Sequence, residues 1–297
     1  MVLMAIHRPA SPLRRGDSVA CVAASSALAD EQTLNQGITE LESWGLQVLP
    51  QTLASRRWGY LAGRDRDRSL DLQPDHPAAL LACARGGWGA ARLLEHSIRW
   101  QSGWILGFSD VTALLWARLS AGFGGGVHGP LLTTLPTEPD WSRERLRRLL
   151  FGESVPDLQG SGAGGGRCQG PLVVANLTVA SHLLSTPYVP DLNGAILVLE
   201  DVGEAPYRID RMLTQWRLAG ILQRLAGIGF GNFEGCDDEQ VSTLGFSLQE
   251  VLEERTGDLG IPRVLNLPVG HRSGNAALPM GALACLDGDQ GTLSLLP

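Results

Sequence analysis

The chain has no lysine: its 24 basic residues are all arginine, and 31 acidic residues outweigh them to give a formal net charge of −7. Proteins whose main partner is nucleic acid usually carry clustered lysines and arginines that neutralise phosphates. The acidic balance, together with the lack of a basic run, argues against nucleic acid as a partner.

Long apolar runs and paired cysteines are also missing. No run approaches the ~20 residues that cross a bilayer, and the segment 1–17 is too short and too broken by prolines to be a signal peptide. The five cysteines are scattered without a CxxC pair, which suits a reducing compartment better than a disulfide framework. We therefore expect a soluble cytoplasmic protein with no membrane partner.

Motifs for binding metals and nucleotides are absent as well. The sequence contains no H-E-x-x-H, no HxH and no Cys/His cluster, and "ARGGWGA" matches neither the phosphate loop nor G-x-G-x-x-G. We therefore expect no catalytic metal, and the motifs do not favour a bound nucleotide.

What the first half does contain is an alternation of two patterns. Three apolar runs, "SVACVAA" (18–24), "ALLACAR" (79–85) and "WILGF" (104–108), have the character of buried strands, and stretches of helical period lie between and after them. Such alternation predicts a mainly parallel sheet covered by helices on both faces. One of these helices is predicted to begin at "GAARLLEH" (89–96), and a long amphipathic helix is predicted in the second half over 207–227.

The alternation stops in the segment 151–170, which is dense in glycine and has no apolar period. Such a composition is typical of a flexible connection. We therefore predict an N-terminal α/β domain over 1–150, a Gly-rich linker over 151–170 and a less regular C-terminal domain over 171–297.

Three loops follow the strands of the first half at the edge where parallel sheets bind ligands: "RGGWG" (85–89), "GFSD" (107–110) and "VHGP" (127–130). In the second of these, Ser109 is either a helix N-cap or a nucleophile on a strained strand-to-helix elbow. Gly107 fits the elbow, whereas Val111 replaces the second glycine of G-x-S-x-G. The paired glycines of "RGGWG" are either a tight turn or a source of amides for an anion.

A serine nucleophile requires a base, for which histidine is the usual side chain near neutral pH. Of the six histidines, His128 and His271 follow strand-like runs and adjoin glycine. His271 is the preferred candidate because its loop is long and polar, and a structural turn histidine is the alternative. The carboxylate that orients such a base is expected at the end of "AILVLED". There Glu200 is preferred over Glu204 because a buried acid needs a partner, although these acids could instead cap the next helix.

Taken together, "RRGDSVACVAASS", "RGGWGAARLL", "LGFSDVTALL", "HGP", "NLTVASHLL", "LVLEDVGEAPYRIDRMLTQWRLAG" and "VGHRSGNAALPMGALACLD" resemble the LD-carboxypeptidase (muramoyltetrapeptide carboxypeptidase) family of serine peptidases over most of the chain. With this resemblance we expect an α/β protein. Its N-terminal domain would be flavodoxin/Rossmann-like with a mainly parallel sheet, and its smaller C-terminal α/β domain would be barrel-like and swivelling.

The resemblance implies a catalytic triad of Ser109, Glu200 and His271 that closes where the two domains meet, with the backbone amides of Gly87 and Asp110 as the oxyanion hole. It also implies a cofactor-free cytoplasmic homodimer. The implied reaction removes the terminal D-alanine from a murein tetrapeptide, at its bond to an L-diamino acid, during recycling of cell-wall fragments.

Two alternatives remain at this point. The same triad could hydrolyse a microcin-like peptide–nucleotide amide, although the extra substrate-gripping loop of such relatives is not seen near the inter-domain connection. From a different class, the chain could be a ligand-binding module in which Ser109 is only a helix cap. Arg85 is a candidate for holding the substrate carboxylate, with a structural ion pair as its alternative.

Overall fold

The computed structural model describes residues 10–73, 77–237 and 245–297. Within these ranges the strands are, in chain order, β1 (Ser18–Val22), β2 (Gln47–Val48), β3 (Leu80–Cys83), β4 (Trp104–Gly107), β5 (Gly126–His128), β6 (Leu158–Gln159), β7 (Ser161–Gly162), β8 (Arg167–Asn176), β9 (Ile196–Val202), β10 (Gly227–Glu234), β11 (Arg263–Leu265), β12 (Leu278–Pro279), β13 (Leu283–Asp287) and β14 (Thr292–Leu295).

The α-helices of the same ranges are α1 (Glu31–Ser43), α2 (Asp65–Leu70), α3 (Thr112–Ser120), α4 (Asp140–Leu150), α5 (Leu177–Leu183), α6 (Pro206–Leu218) and α7 (Leu248–Thr256). Short 3₁₀ helices cover Leu53–Ser55, Ala90–Glu95, Ser109–Val111, Leu135–Thr137, Leu222–Arg224 and Gly257–Leu259. None of the helices in the described part of the chain is long and apolar enough to cross a membrane.

The first sheet has the order β12-β5-β4-β3-β1-β2. All its pairs are parallel except β12 against β5. The parallel part has the order 2-1-3-4-5 of flavodoxin-like folds, and β1, β3 and β4 are almost wholly buried because their apolar runs are covered on both faces. The predicted N-terminal fold class is therefore confirmed.

The second sheet has the order β6-β14-β13-β8-β9-β10-β11-β7, with parallel pairing from β8 to β11 and antiparallel pairing elsewhere. Its edge strands β6 and β7 are separated in sequence only by Gly160, whose amide donates to Gly291. The two edges of the sheet therefore meet, and the sheet forms the predicted barrel-like unit, nearly closed.

Helix α3 joins the two sheets, and it begins directly after the GFSD turn. Every residue from Thr112 to Leu119 is buried. The Trp116 indole donates to the Val174 carbonyl of β8 at 3.0 Å and meets Trp216 of α6 edge-on, with ring centroids 6.1 Å apart. Because one apolar core runs from the first sheet through α3 into the second sheet, the GFSD turn is held firmly against the second unit.

Some element boundaries differ from the sequence predictions. The stretch "GAARLLEH", predicted to begin an α-helix, is the 3₁₀ helix Ala90–Glu95. The long helix predicted through 207–227 ends at Leu218, because Gly220 takes a left-handed conformation with φ of 67° that terminates it.

The division into 1–150, 151–170 and 171–297 stays a prediction, and two features of the strands depart from it. The segment 151–170 contains β6, β7 and the start of β8 rather than only a linker. In addition, β12, from the last part of the chain, pairs with β5 of the first sheet. The glycines that suggested flexibility here allow tight turns between short strands.

Candidate active site

Ser109 occupies a strained corner between β4 and α3. Its φ is 62°, which is uncommon for a residue other than glycine and marks a backbone held in place by its surroundings. A Cβ on Gly107 would lie 2.8 Å from Val111 Cγ1, so only glycine fits at the strand end. The 3₁₀ turn Ser109–Val111 has no side-chain cap. The N-cap hypothesis is therefore wrong, and the backbone has the form of a nucleophile elbow.

The Ser109 hydroxyl points to the imidazole of His271. The distance from Ser109 Oγ to His271 Nε2 is 3.1 Å, and the distance from His271 Nδ1 to Glu200 Oε2 is 2.7 Å. With its proton on Nδ1, the imidazole donates to the carboxylate and accepts from the serine. The structure thus brings together three side chains that lie 91 and 71 residues apart along the chain (200 − 109 and 271 − 200).

Burial and neighbouring charges shift the pKa values of Glu200 and His271. The Glu200 side chain is fully buried on β9, and His271 is 20% exposed. Burial alone raises the pKa of Glu200, but the imidazoles of His128 and His271 outweigh it and lower that pKa. For His271, burial lowers the pKa, and the Glu200 carboxylate reverses this and raises it above 6.5. The ionised carboxylate therefore makes the imidazole a stronger base, because it stabilises the imidazolium that forms when the imidazole accepts a proton.

The loop carrying His271 is held by contacts from distant parts of the chain. Gly270 leaves room for the acid, since a Cβ there would lie 2.9 Å from Glu200 Oε2, and its amide donates to Asn275 Oδ1. The buried Glu138 accepts from the amides of Gly274 and Asn275 at 2.7 and 3.0 Å. Ser142 of α4 donates to the Asn275 carbonyl.

The RGGWG loop lies against the serine. A Cβ on Gly86 would be 3.2 Å from Ser109 Oγ, and the exposed Gly87 has φ of 108°. Within the described residues the Gly87 amide makes no hydrogen bond, so it is free to donate to a ligand. The Asp110 amide follows the serine directly, where an elbow places its second oxyanion donor. Asp110 thus adjoins Ser109 in the chain, and Gly87 follows the glycine that lies against the serine, Gly86.

Two side chains that hold this loop were missed by the sequence analysis. Ser26 accepts from the Trp88 amide at 3.1 Å and its own amide donates to the Gly86 carbonyl. The carboxylate of Asp110, considered only for its amide, accepts from the Ala90 amide at 2.8 Å, and burial raises its pKa. The signal for Ser26 was its place after β1, at the same sheet edge as the other loops.

The other candidates from the sequence, Glu204, Arg85 and His128, have different contacts. Glu204 contacts Arg208 at 3.3 Å rather than His271. Arg85 donates to the Ala27 carbonyl at 2.8 Å, and within the described ranges it forms no ion pair. His128 is completely buried beside Glu200, with its Nε2 3.8 Å from Glu200 Oε1. No group of three or more His, Cys, Asp and Glu side chains placed to hold a metal ion occurs in the part of the chain that the structure describes.

Both halves of the chain are similar to known proteins. The family models for the LD-carboxypeptidase N-terminal and C-terminal domains match residues 19–129 and 169–286. The chain is 47% identical to "Putative carboxypeptidase slr1534" of Synechocystis sp. over 96% of each chain. It is 32% identical to the murein tetrapeptide carboxypeptidase of Pseudomonas aeruginosa, over 92% of this chain and 94% of the relative.

A solved structure agrees with these relatives. The muramoyltetrapeptide carboxypeptidase from Oxalobacter formigenes superposes with a TM-score of 0.81 at 27% identity, over 94% of this chain and 97% of that one. Both halves of the chain match the family in order, and the match with the Synechocystis relative extends over nearly the whole length. The chain therefore belongs to the LD-carboxypeptidase family of serine-type carboxypeptidases.

Proposed function

We propose that the protein is an LD-carboxypeptidase that removes the terminal D-alanine from murein tetrapeptides with a Ser109–His271–Glu200 triad. The observation that carries this proposal is the hydrogen-bonded chain from the serine hydroxyl to the buried carboxylate, at 3.1 and 2.7 Å. The Pseudomonas aeruginosa relative, a murein tetrapeptide carboxypeptidase at 32% identity, supports the choice of substrate.

The proposed reaction proceeds by acyl transfer. Ser109 Oγ attacks the carbonyl carbon of the L-diamino acid while His271 Nε2 takes the hydroxyl proton, and Glu200 stabilises the imidazolium. The amides of Gly87 and Asp110 donate to the oxyanion, each worth about 2.7–4 kcal/mol in comparable sites. His271 then gives its proton to the D-alanine amine as the amide bond breaks. Water, deprotonated by the same imidazole, cleaves the ester and releases the tripeptide.

The test is to incubate the purified protein with disaccharide-tetrapeptide and follow the loss of one alanine by mass. Ser109→Ala should abolish turnover and leave the fold intact by circular dichroism. Ser102→Ala, at an exposed serine on the loop before β4, is the matched control and should retain the parent rate. A Ser109→Ala protein that trims the tetrapeptide at the parent rate contradicts the assignment.

The two alternatives are outcomes of the same experiments. Faster hydrolysis of a microcin-like peptide–nucleotide amide than of the tetrapeptide would assign the triad to antibiotic inactivation. A serine-reactive fluorophosphonate probe separates an enzyme from a binding module, because only an activated Ser109 becomes labelled. Failure to label with full tetrapeptide turnover would indicate only that the pocket excludes the probe.

We further propose that the protein acts in the cytoplasm as a homodimer, divided into N- and C-terminal domains near residues 151–170. These features are supported by the resemblance to the family. Cell fractionation, light scattering after size exclusion and limited proteolysis test them one by one.

A further inference from the structure

His128 is a buried side chain for which the proposed triad has no use. It ends β5, where its backbone pairs with Gly107 of β4 on one side and Leu278 of β12 on the other. The side chain is 0% exposed, and within the described residues neither ring nitrogen has a hydrogen-bond partner. Buried polar atoms are nearly always paired, so this histidine requires an explanation.

The carboxylate of Glu200 lies beside this imidazole. One carboxylate oxygen, Oε2, receives the hydrogen bond from His271, whereas the other, Oε1, has no partner within the described residues and lies 3.8 Å from His128 Nε2. That gap is too long for a hydrogen bond. A small shift would bring these two atoms within hydrogen-bond distance, and hydrogen bonds at catalytic sites often tighten only when substrate binds.

Phe108 packs against both imidazoles. Its ring meets His128 edge-on at 5.7 Å between centroids, and it meets His271 at 4.9 Å. The residue comes directly before Ser109, so one aromatic ring contacts both histidines next to the elbow. With Phe108 packed against it, His128 has its Nε2 on the side of the carboxylate.

We propose that His128 is a positioning residue for the hydrolytic reaction: its Nε2–H donates to Glu200 Oε1 and keeps the carboxylate ionised and aimed at His271. The inference rests on the proposed triad. A carboxylate that accepts one hydrogen bond on each oxygen cannot rotate away from either histidine. It also remains a good partner for the imidazolium that forms when Ser109 loses its proton.

The charges around the pair determine the pH dependence. Besides His128, the titratable groups at this carboxylate are His271, which it contacts, and Asp201, whose charge also raises the pKa of His271. Neighbouring strands β4 and β12 pair with His128 through backbone at Gly107 and Leu278, which carry no charge. Without the His128 donor, the ionised carboxylate is less stabilised and attracts a proton more strongly. The Glu200–His271 pair therefore takes up its first proton at a higher pH.

The experiment compares His128→Leu with His128→Gln, since the glutamine amide can donate from a position near Nε2. We expect His128→Leu to lower kcat about 10–100-fold with KM little changed. We also expect it to move the acid limb of kcat/KM upward by roughly one pH unit. His128→Gln should restore both values to within a few-fold of the parent.

A purely structural role predicts a different result. If His128 only fills space, the active fraction of His128→Leu would keep the acid limb of the parent, which would overturn the inference. Should the leucine variant fail to fold, nitrogen NMR of the unmodified protein decides: a proton on Nε2 supports the inference, and a bare Nε2 overturns it. A parent protein without tetrapeptide turnover would instead contradict the proposed function.

Discussion

The two sides of the proposed active site are built by different means. Ser109 is presented by local structure: a four-residue strand, a glycine and a backbone turn with φ of 62° lie within a few residues of it. Glu200 and His271 are positioned by contacts between residues far apart in sequence: Glu138 accepts from two amides of the His271 loop, and Gly270 leaves room for the Glu200 carboxylate. The serine side depends on backbone conformation, and the acid–base side depends on side-chain hydrogen bonds.

This difference predicts how each side responds to mutation. Under the proposed mechanism, a change on the serine side removes a reacting atom, whereas a change on the acid–base side shifts the orientation or the pKa of a group that still reacts. The following predictions test that distinction, in order of decreasing effect.

Glu200→Gln should lower kcat about 10³–10⁴-fold with the fold retained, because the amide neither stabilises the imidazolium nor specifies the tautomer of His271. The measurement is tetrapeptide turnover at saturating substrate. Glu204→Gln, at the acid that contacts Arg208 instead, is the matched control and should stay near the parent rate. The opposite ranking of the two variants would transfer the orienting role to Glu204.

Gly270→Ala should lower kcat about 100-fold, because its Cβ would lie 2.9 Å from Glu200 Oε2 and push the acid out of line with His271. Gly220→Ala is the control, since Gly220 also has positive φ but has open space around its Cβ position. Equal losses in both variants would show that backbone strain, rather than displacement of the carboxylate, is responsible.

The pH dependence reports the state of His271. Its imidazole must be neutral to accept the serine proton, and the carboxylate raises its pKa above 6.5. We therefore expect kcat/KM to fall about tenfold per pH unit below that raised pKa. In Glu200→Gln the residual activity should persist to lower pH, because burial then lowers the pKa of the base and only the charge of Asp201 still opposes it. An acid limb that lies below pH 6.5 in the parent protein contradicts this assignment.

Ser142→Ala tests the attachment of the His271 loop and should have the smallest effect. Its hydroxyl is buried and donates to the Asn275 carbonyl at 2.8 Å, so its loss should lower the free energy of unfolding by about 1 kcal/mol. Denaturant unfolding measures this change, and kcat should fall only a few-fold. Ser120→Ala is the control. Ser120 lies half-buried at the end of α3, and its hydroxyl donates locally to the Ala117 carbonyl of the same helix.

Much of the parallel sheet was predictable from the sequence, because apolar strands at its centre form short runs bounded by glycine. The "WILG" run became β4 and the "LLAC" run became β3, within a residue or two of their predicted ends. The segment 151–170 was harder to predict, since β6 and β7 are two residues each and gain their pairing only when the barrel closes. Such short strands have no period to detect.

The choice of site residues shows the same limit. Glu200 and His271 were selected partly by resemblance, and their meeting at 2.7 Å depends on the second sheet placing β9 beside the loop after β11. His271 was preferred to His128 as the base because the His271 loop is long and polar. Its position against the far oxygen of Glu200 has no local signature in "VHGP".

By itself the sequence determined the alternation of strands and helices, the loops at the carboxyl edge of the first sheet and the serine at the strand-to-helix corner. These features depend on apolar periodicity and glycine, which act over a few residues. Only the tertiary structure decided which histidine meets the serine, which acid meets the histidine and which second histidine faces that acid. Those contacts join residues up to 162 positions apart, and they form only when α3 and the paired sheets bury one shared core.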